Sequence, residues 1–160
     1  MYKRQIEGDK ELLRARVIRR LRQVMNMGKR YDVKVLIENV GLRTKNNVLF
    51  DLPEYVALFD IFPQAGALLD TGHAHVNGWD IPAVVKALGE RLAACHVHDN
   101  DGSGDAHLPV GQGDIDWKAY FGAVKKYAPQ ATQVFEYCCG FNNTKDLEAH
   151  IAELKAKYKL

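Results

Sequence analysis

The sequence predicts an α/β protein built around a parallel sheet. Three observations carry this expectation. Four short apolar runs, at 33–39, 65–70, 92–99 and 132–137, alternate with stretches of helical spacing. The runs are too short for helices and are apolar throughout, as expected of strands covered on both faces. Each run also reaches, at its end, a side chain that can ionise or bind metal: Glu38, Asp70, His96 and Glu136.

The elements follow in order. The first 31 residues read as a helix, with Leu12, Leu13, Val17, Leu21 and Val24 at helical spacing among many arginines that form a solvated cationic face. VKVLIEN, 33–39, is the first strand. Asp51 and Pro53 open a helix to about Phe62, with Asp51 as cap and Pro53 in the first turn. AGALLD, 65–70, is the second strand, and Asp80 with Pro82 opens a helix to about Arg91. LAACHVHD, 92–99, is the third strand, and a glycine-rich loop occupies 101–114. Asp116 caps a helix through about Tyr127, and TQVFEY at 132–137 supplies the fourth strand. Thr144 caps the last helix, 144–158, whose Leu147, Ile151 and Leu154 share a face. The pattern is one helix and then four βα units, in a single domain over 1–160.

Composition narrows the function. The chain has 160 residues and is 47% hydrophobic, enough for one core. No apolar run approaches the ~20 residues of a membrane span. The charged start MYKRQIEGDK is unlike a signal peptide, so a cytoplasmic setting is expected. Lys and Arg number 22 against 20 Asp and Glu, a balance that weighs against a duplex-binding protein. Three cysteines, with Cys138 and Cys139 adjacent, make no disulfide framework and suit a reducing compartment. Histidine is the unusual residue: of six, five (His73, His75, His96, His98 and His107) cluster between positions 73 and 107.

In a parallel α/β fold the C-terminal strand ends face one common side, and in an eight-stranded βα barrel they surround one pocket. Glu38, Asp70, His96 and Glu136 would then converge, although distant in sequence. Carboxylates with an imidazole suit a divalent ion such as Mn²⁺, Zn²⁺ or Co²⁺. Two loop clusters add donors. Asp70-Thr71-Gly72-His73-Ala74-His75 follows a strand end, and Asp105-Ala106-His107 projects two ligands to one side of an extended segment. The glycines of Gly111-Gln112-Gly113 shape the loop rather than cradle a phosphate.

The segments LIENVG, LLDTGHAH, CHVHDNDGSGDAHLPVGQGDIDW and VFEY resemble, in order, the metal-site strands of the xylose isomerase-like TIM-barrel superfamily. That group includes sugar-phosphate isomerases and epimerases and the endonuclease IV-like AP endonucleases. The resemblance covers roughly residues 33–137. It implies a partial (β/α)8 barrel: about four C-terminal βα units with an N-terminal helix, the N-terminal half of the barrel missing. It implies Glu38 as first or bridging metal carboxylate, with Asp70, His96 and Glu136 completing the site. His73 resembles a substrate-binding residue of the isomerases or a further metal ligand of the nucleases. Asp105 and His107 match an Asp-x-His that holds an additional zinc in the nucleases. His98 falls where relatives often carry lysine or asparagine, and so is expected beside the ligands or facing substrate. His150 is expected at the surface.

The function implied is a divalent-metal-dependent isomerase or epimerase acting on a small sugar or sugar phosphate. Glu38 and Glu136 would transfer a proton next to a metal-chelated carbonyl. The alternatives are an endonuclease IV-like zinc phosphodiesterase at abasic DNA sites, or a truncated metal-binding half-barrel without catalysis. Nucleic acid is the less expected partner, since Arg43 and Lys45 are among few cations near the ligand loops. Four strands also leave two open edges. Val35, Leu68 and Val134 are expected on the barrel side and in need of cover, from a second copy in a homodimer or from the missing half.

Overall fold

A computed structural model describes residues 2–159, with side chains from residue 9 onward. Helix α1 (Tyr2–Arg30) leads into β1 (Leu36–Glu38). Three further βα steps follow: α2 (Leu52–Ile61) to β2 (Gly66–Asp70), α3 (Thr71–Val76) and α4 (Ile81–Leu88) to β3 (Leu92–Val97), and α5 (Trp117–Tyr127) to β4 (Thr132–Phe135). Helix α6 (Thr144–Tyr158) closes the chain. The strands form one sheet in the order β1-β2-β3-β4, every pair parallel. Short right-handed βα crossovers give this order directly.

Side-chain alternation divides the sheet into two faces. Ile37, Ala67, Leu69, Cys95 and Val97 are buried in one core with Tyr55, Phe59, Val84, Val85, Tyr120 and Phe121 of the helices. Residues of opposite parity, Leu36, Leu68, His96 and Val134, lie on the uncovered face, where Val134 is 43% exposed. Leu68 and Val134 are thus on the barrel side as expected. Val35 is not: it packs against the core below α1, and a Cβ on Gly28 would fall 2.6 Å from its Cγ2. An apolar run without alternation cannot show which parity faces inward.

Helix ends follow local chemistry. Asp51 makes a full capping box with Glu54, and Pro53 sits in the first turn of α2. Asp80 and Asp116 cap α4 and α5 by accepting from the backbone N–H groups of Ala83 and Ala119. The cap of α6 is Asn143, which accepts from Asp146 N–H, one residue before the expected Thr144. Helix α4 ends at Leu88, and Gly89–Arg91 form a 3-10 turn where one continuous helix was expected.

Helix α1 is corrected in its buried face. Leu12, Leu13 and Val24 are exposed at 67%, 47% and 44%, while Met25 is buried and Ile18 and Leu21 pack against the core. With apolar residues on several sides of α1, spacing alone could not select the contacting stripe. No described helix is long and apolar enough to cross a membrane.

Candidate metal centre

The sheet register places the strand-end residues side by side. Asp70 pairs with His96 across β2 and β3, and Glu38 pairs with Leu68 at the neighbouring position. Glu136 directly follows β4, and its N–H donates to Val97 O. The Nδ1 of His96 lies 3.4 Å from Glu38 Oε1, 3.3 Å from Glu136 Oε2 and 3.8 Å from Asp70 Oδ2. Glu38, Asp70 and His96 bring their ligand atoms within 4.8 Å of one another, and Glu136 joins them from the His96 side. The four residues expected to converge are therefore together, although they come from four strands.

A second group sits beside the first. The Nδ1–H of His73 donates to Asn39 O at 3.0 Å, and the Nδ1–H of His107 donates to Glu136 O at 3.1 Å. Those bonds fix both tautomers when the rings are neutral, leaving each Nε2 with a lone pair. Both Nε2 atoms stand 3.3 Å from the same oxygen, Asp105 Oδ2. With both rings neutral, three acceptors face one another without a hydrogen, an arrangement that either a bound cation or a proton on one ring satisfies. Asp105 Oδ1 and His98 Nδ1 are in addition buried with no hydrogen-bond partner. The donor set of carboxylates and imidazoles fits a divalent transition ion. His107 has φ +47°, a left-handed conformation that non-glycine residues rarely adopt, so the Asp105–His107 segment is not extended through His107.

His98 is fully buried and donates from Nε2 to the Asp70 carboxylate at 3.1 Å. Its ring stacks on that of His107, centroids 3.8 Å apart. Gly72 makes room on this ring: a Cβ there would lie 2.5 Å from His98 Nδ1 and closer still to Cε1. His75 turns away from this group and meets Asp114 at 2.7 Å. His150 is half-buried, its ring tilted 47° against that of Phe141 and its Nε2 3.3 Å from the Tyr137 hydroxyl, rather than a simple surface residue.

Local electrostatics follow from this packing. Burial, then the neighbouring Asp70 carboxylate, raise the pKa of Glu38 above its ordinary value. Burial also pushes Asp70 upward, but the hydrogen bond and charge of His98 and the contacts with His73 outweigh it, and its pKa is lowered. Burial lowers His98, and its bond to Asp70 overrides this and raises it. Every ion-pair partner of Glu38, Asp70, Asp105 and Glu136 among the described residues is a histidine.

Residues that motif reading did not single out hold the strand ends. Asn39 bridges β1 to β2, its side chain accepting from Asp70 N–H at 2.7 Å and donating to Asp70 O at 3.1 Å. The Thr71 hydroxyl reaches the carbonyls of His96 and His98. Asn77 accepts from Arg43 N–H and donates to Gly41 O, which fixes the loop after β1. All are buried; Asn39 and Thr71 directly follow β1 and β2, and Asn77 is the C-cap of α3. Their signal was the run of small and amide residues around each ligand, visible but without a stated role.

Comparison with known proteins agrees with this geometry. The family model of the xylose isomerase-like TIM barrel matches residues 3–157. The uncharacterized protein MJ1614 of Methanocaldococcus jannaschii is 29% identical over 113 residues, covering 69% of this chain and 42% of that protein. The uncharacterized protein y4fM of Sinorhizobium fredii is 32% identical over 95 residues, covering 58% of this chain and 30% of that protein. The chain thus spans less than half the length of these curated relatives. A solved structure of a D-tagatose 3-epimerase-like protein superposes with TM-score 0.69 at 22% identity, over 88% of this chain and 52% of that one, and shows a shared fold. Four parallel βα units, ligand-type residues at their C-terminal ends and the match over residues 3–157 together make this chain a member of the xylose isomerase-like TIM-barrel family, in the form of a partial barrel.

Proposed function

We propose that this chain carries the metal centre of an isomerase or epimerase acting on a small sugar or sugar phosphate. The observation that carries the reading is the meeting of Glu38 and Glu136, from opposite ends of the sheet, at His96 Nδ1 (3.4 and 3.3 Å). With Asp70 they form a four-residue donor set for a divalent ion of the Mn²⁺, Zn²⁺ or Co²⁺ class. Such an ion supplies Lewis-acid polarisation of a carbonyl and its neighbouring hydroxyl. Glu38 and Glu136, converging on His96 from the two edge strands, would flank a substrate carbon next to that carbonyl. One removes its proton and the other returns it. His73, held through Nδ1 by Asn39, turns Nε2 toward Asp105 beside this donor set. The D-tagatose 3-epimerase-like neighbour supports this chemistry by analogy of fold.

A second reading draws on the His73–Asp105–His107 group. Two donor sets side by side suit a zinc phosphodiesterase of the endonuclease IV type. Charge weighs against it. Glu38, Asp70, Asp105 and Glu136 carry four formal negative charges, which two divalent ions would only neutralise, leaving no positive excess for a phosphodiester. The partners of these carboxylates are histidines rather than lysines or arginines, so the site gives a phosphate backbone little to bind. Completion of the barrel belongs to the same proposal. The uncovered sheet face and the free edges of β1 and β4 take either a second copy or further βα units of a longer chain.

The test is exchange of substrate carbon-bound hydrogen. The chain with Mn²⁺ is incubated with aldoses, ketoses and their phosphates in D₂O and followed by NMR, beside a cleavage assay on abasic duplex DNA. Deuterium uptake at the carbon next to the carbonyl, lost in Glu136→Gln, supports the isomerase. Metal-dependent cleavage of abasic DNA without exchange overturns it.

A further inference from the structure

Asp99 is fully buried two residues beyond β3, and the proposed chemistry gives it no role. Its carboxylate has no cationic partner among the described residues and is held by N–H groups alone. The donors are Trp117 Nε1–H at 2.7 Å, Gly111 N–H at 2.8 Å, Asn100 N–H at 3.0 Å and Ile115 N–H at 3.3 Å. Its backbone pairs in both directions with Leu108, at 2.8 and 2.9 Å. Gly113 lets the chain close over this group, since a Cβ there would collide with Asp99 Oδ1 and Asn100 O. One residue therefore grips the 105–117 segment at Leu108, Gly111, Ile115 and Trp117. Leu108 directly follows His107, and Asp105 is two residues earlier. The left-handed backbone of His107 and the unpartnered Asp105 Oδ1 lie in this same segment.

A buried carboxylate is costly unless its lone pairs are filled, and four N–H donors fill them. The bonds can form only while the loop is folded back on β3, so the carboxylate selects that loop conformation. The first donor set meets this loop only through His107, which donates to the Glu136 carbonyl and stacks on His98; the ligand side chains of Glu38, Asp70, His96 and Glu136 themselves come from strands or strand ends. We propose that Asp99 is a positioning residue that sets Asp105 and His107, with His73, as a donor set for a second divalent ion, and that it acts on the strand-borne set only indirectly, through His107. The inference rests on reading the His73–Asp105–His107 group as a cation site.

The test is Co²⁺ titration of the chain and of Asp99→Asn, followed by visible absorption and by ion count in native mass spectrometry. Asn preserves volume but turns an NH₂ donor toward N–H groups. The wild type takes up two ions. Asp99→Asn keeps the first with its spectrum and its affinity within about threefold, and loses about 10–100-fold in affinity for the second, the usual effect of removing a group that orients a ligand. Equal weakening of both ions, as for a merely structural residue, or no weakening of either, overturns the inference. Should Asp99→Asn fail to fold, Trp117→Phe decides. It removes one donor and keeps an aromatic ring, and a severalfold loss confined to the second ion is expected, while an unchanged second ion refutes the proposal. Uptake of a single ion by the wild type sinks the two-ion reading rather than the positioning claim. Hydrogen exchange on the metal-free chain then judges the latter. Faster exchange at the 105–111 amides in Asp99→Asn, with β2 and β3 unchanged, is expected, and unaltered 105–111 amides refute it.

Discussion

Gly72→Ala sets two physical effects against each other. Gly72 lies in the first turn of α3, where alanine would ordinarily stabilise a helix by about 0.5–1 kcal/mol. Here the added methyl enters the space of the His98 imidazole, 2.5 Å from Nδ1 and 2.9 Å from Nε2. The ring cannot retreat, because it is fully buried and stacked on His107 at 3.8 Å. Overpacking a rigid site costs about 1–3 kcal/mol. Displacing the ring also breaks its bond to the buried Asp70 carboxylate, worth about 1.5–3 kcal/mol for a charged partner. The net expectation is a loss of about 2–5 kcal/mol. Asp70 would lose its fixed orientation, and affinity for the first ion should fall at least tenfold. Urea denaturation and Co²⁺ titration read both effects. Gly122→Ala is the matched control, in α5 with nothing within 4 Å of the added Cβ, and should gain about 0.5–1 kcal/mol. A Gly72→Ala chain as stable as wild type, binding metal normally, would refute the role given to His98.

Three further outcomes are expected. Saturating Mn²⁺ at about 100 times its Kd should stabilise the chain by about 2.7 kcal/mol in thermal melts, and Asp70→Asn should abolish the gain. In the metal-free chain the pH dependence has two signs. Glu38, whose pKa is raised, contributes stability below its ordinary 4.5 that is lost as pH rises through the raised value, and Glu38→Gln should remove that loss. Asp70, whose pKa is lowered, contributes stability above 3.8 that is lost as pH falls through the lowered value, so Asp70→Asn should flatten the acid limb. In sedimentation the chain alone should self-associate with rising concentration, because Val134 and the uncovered sheet face need cover; a compact monomer at all concentrations would contradict this.

The parallel sheet and the convergence of Glu38, Asp70, His96 and Glu136 were legible because short apolar strands separated by helices admit few topologies. Parity was not legible. VKVLIEN is apolar on both sides, so Val35 could be assigned to the wrong face until Gly28 fixed its contact with α1. The six-residue α3 was hidden because Asp70-Thr71-Gly72-His73 reads as a loop, and its cap, Asp70, is also a proposed ligand. Asn39, Thr71 and Asp99 act through hydrogen bonds between segments far apart in sequence, which no local spacing reports. For the same reason Asp105 and His107 were legible as donors but not as parts of a loop held by the buried Asp99 carboxylate.

The most direct measurement is anomalous X-ray diffraction from crystals grown with Mn²⁺. The account predicts a strong peak with ligand bonds of about 2.0–2.3 Å to side-chain atoms of Glu38, Asp70, His96 and Glu136, and a further peak for the second ion at His73, Asp105 and His107. A peak bound only elsewhere, or no peak at these four residues under saturating metal, would contradict it.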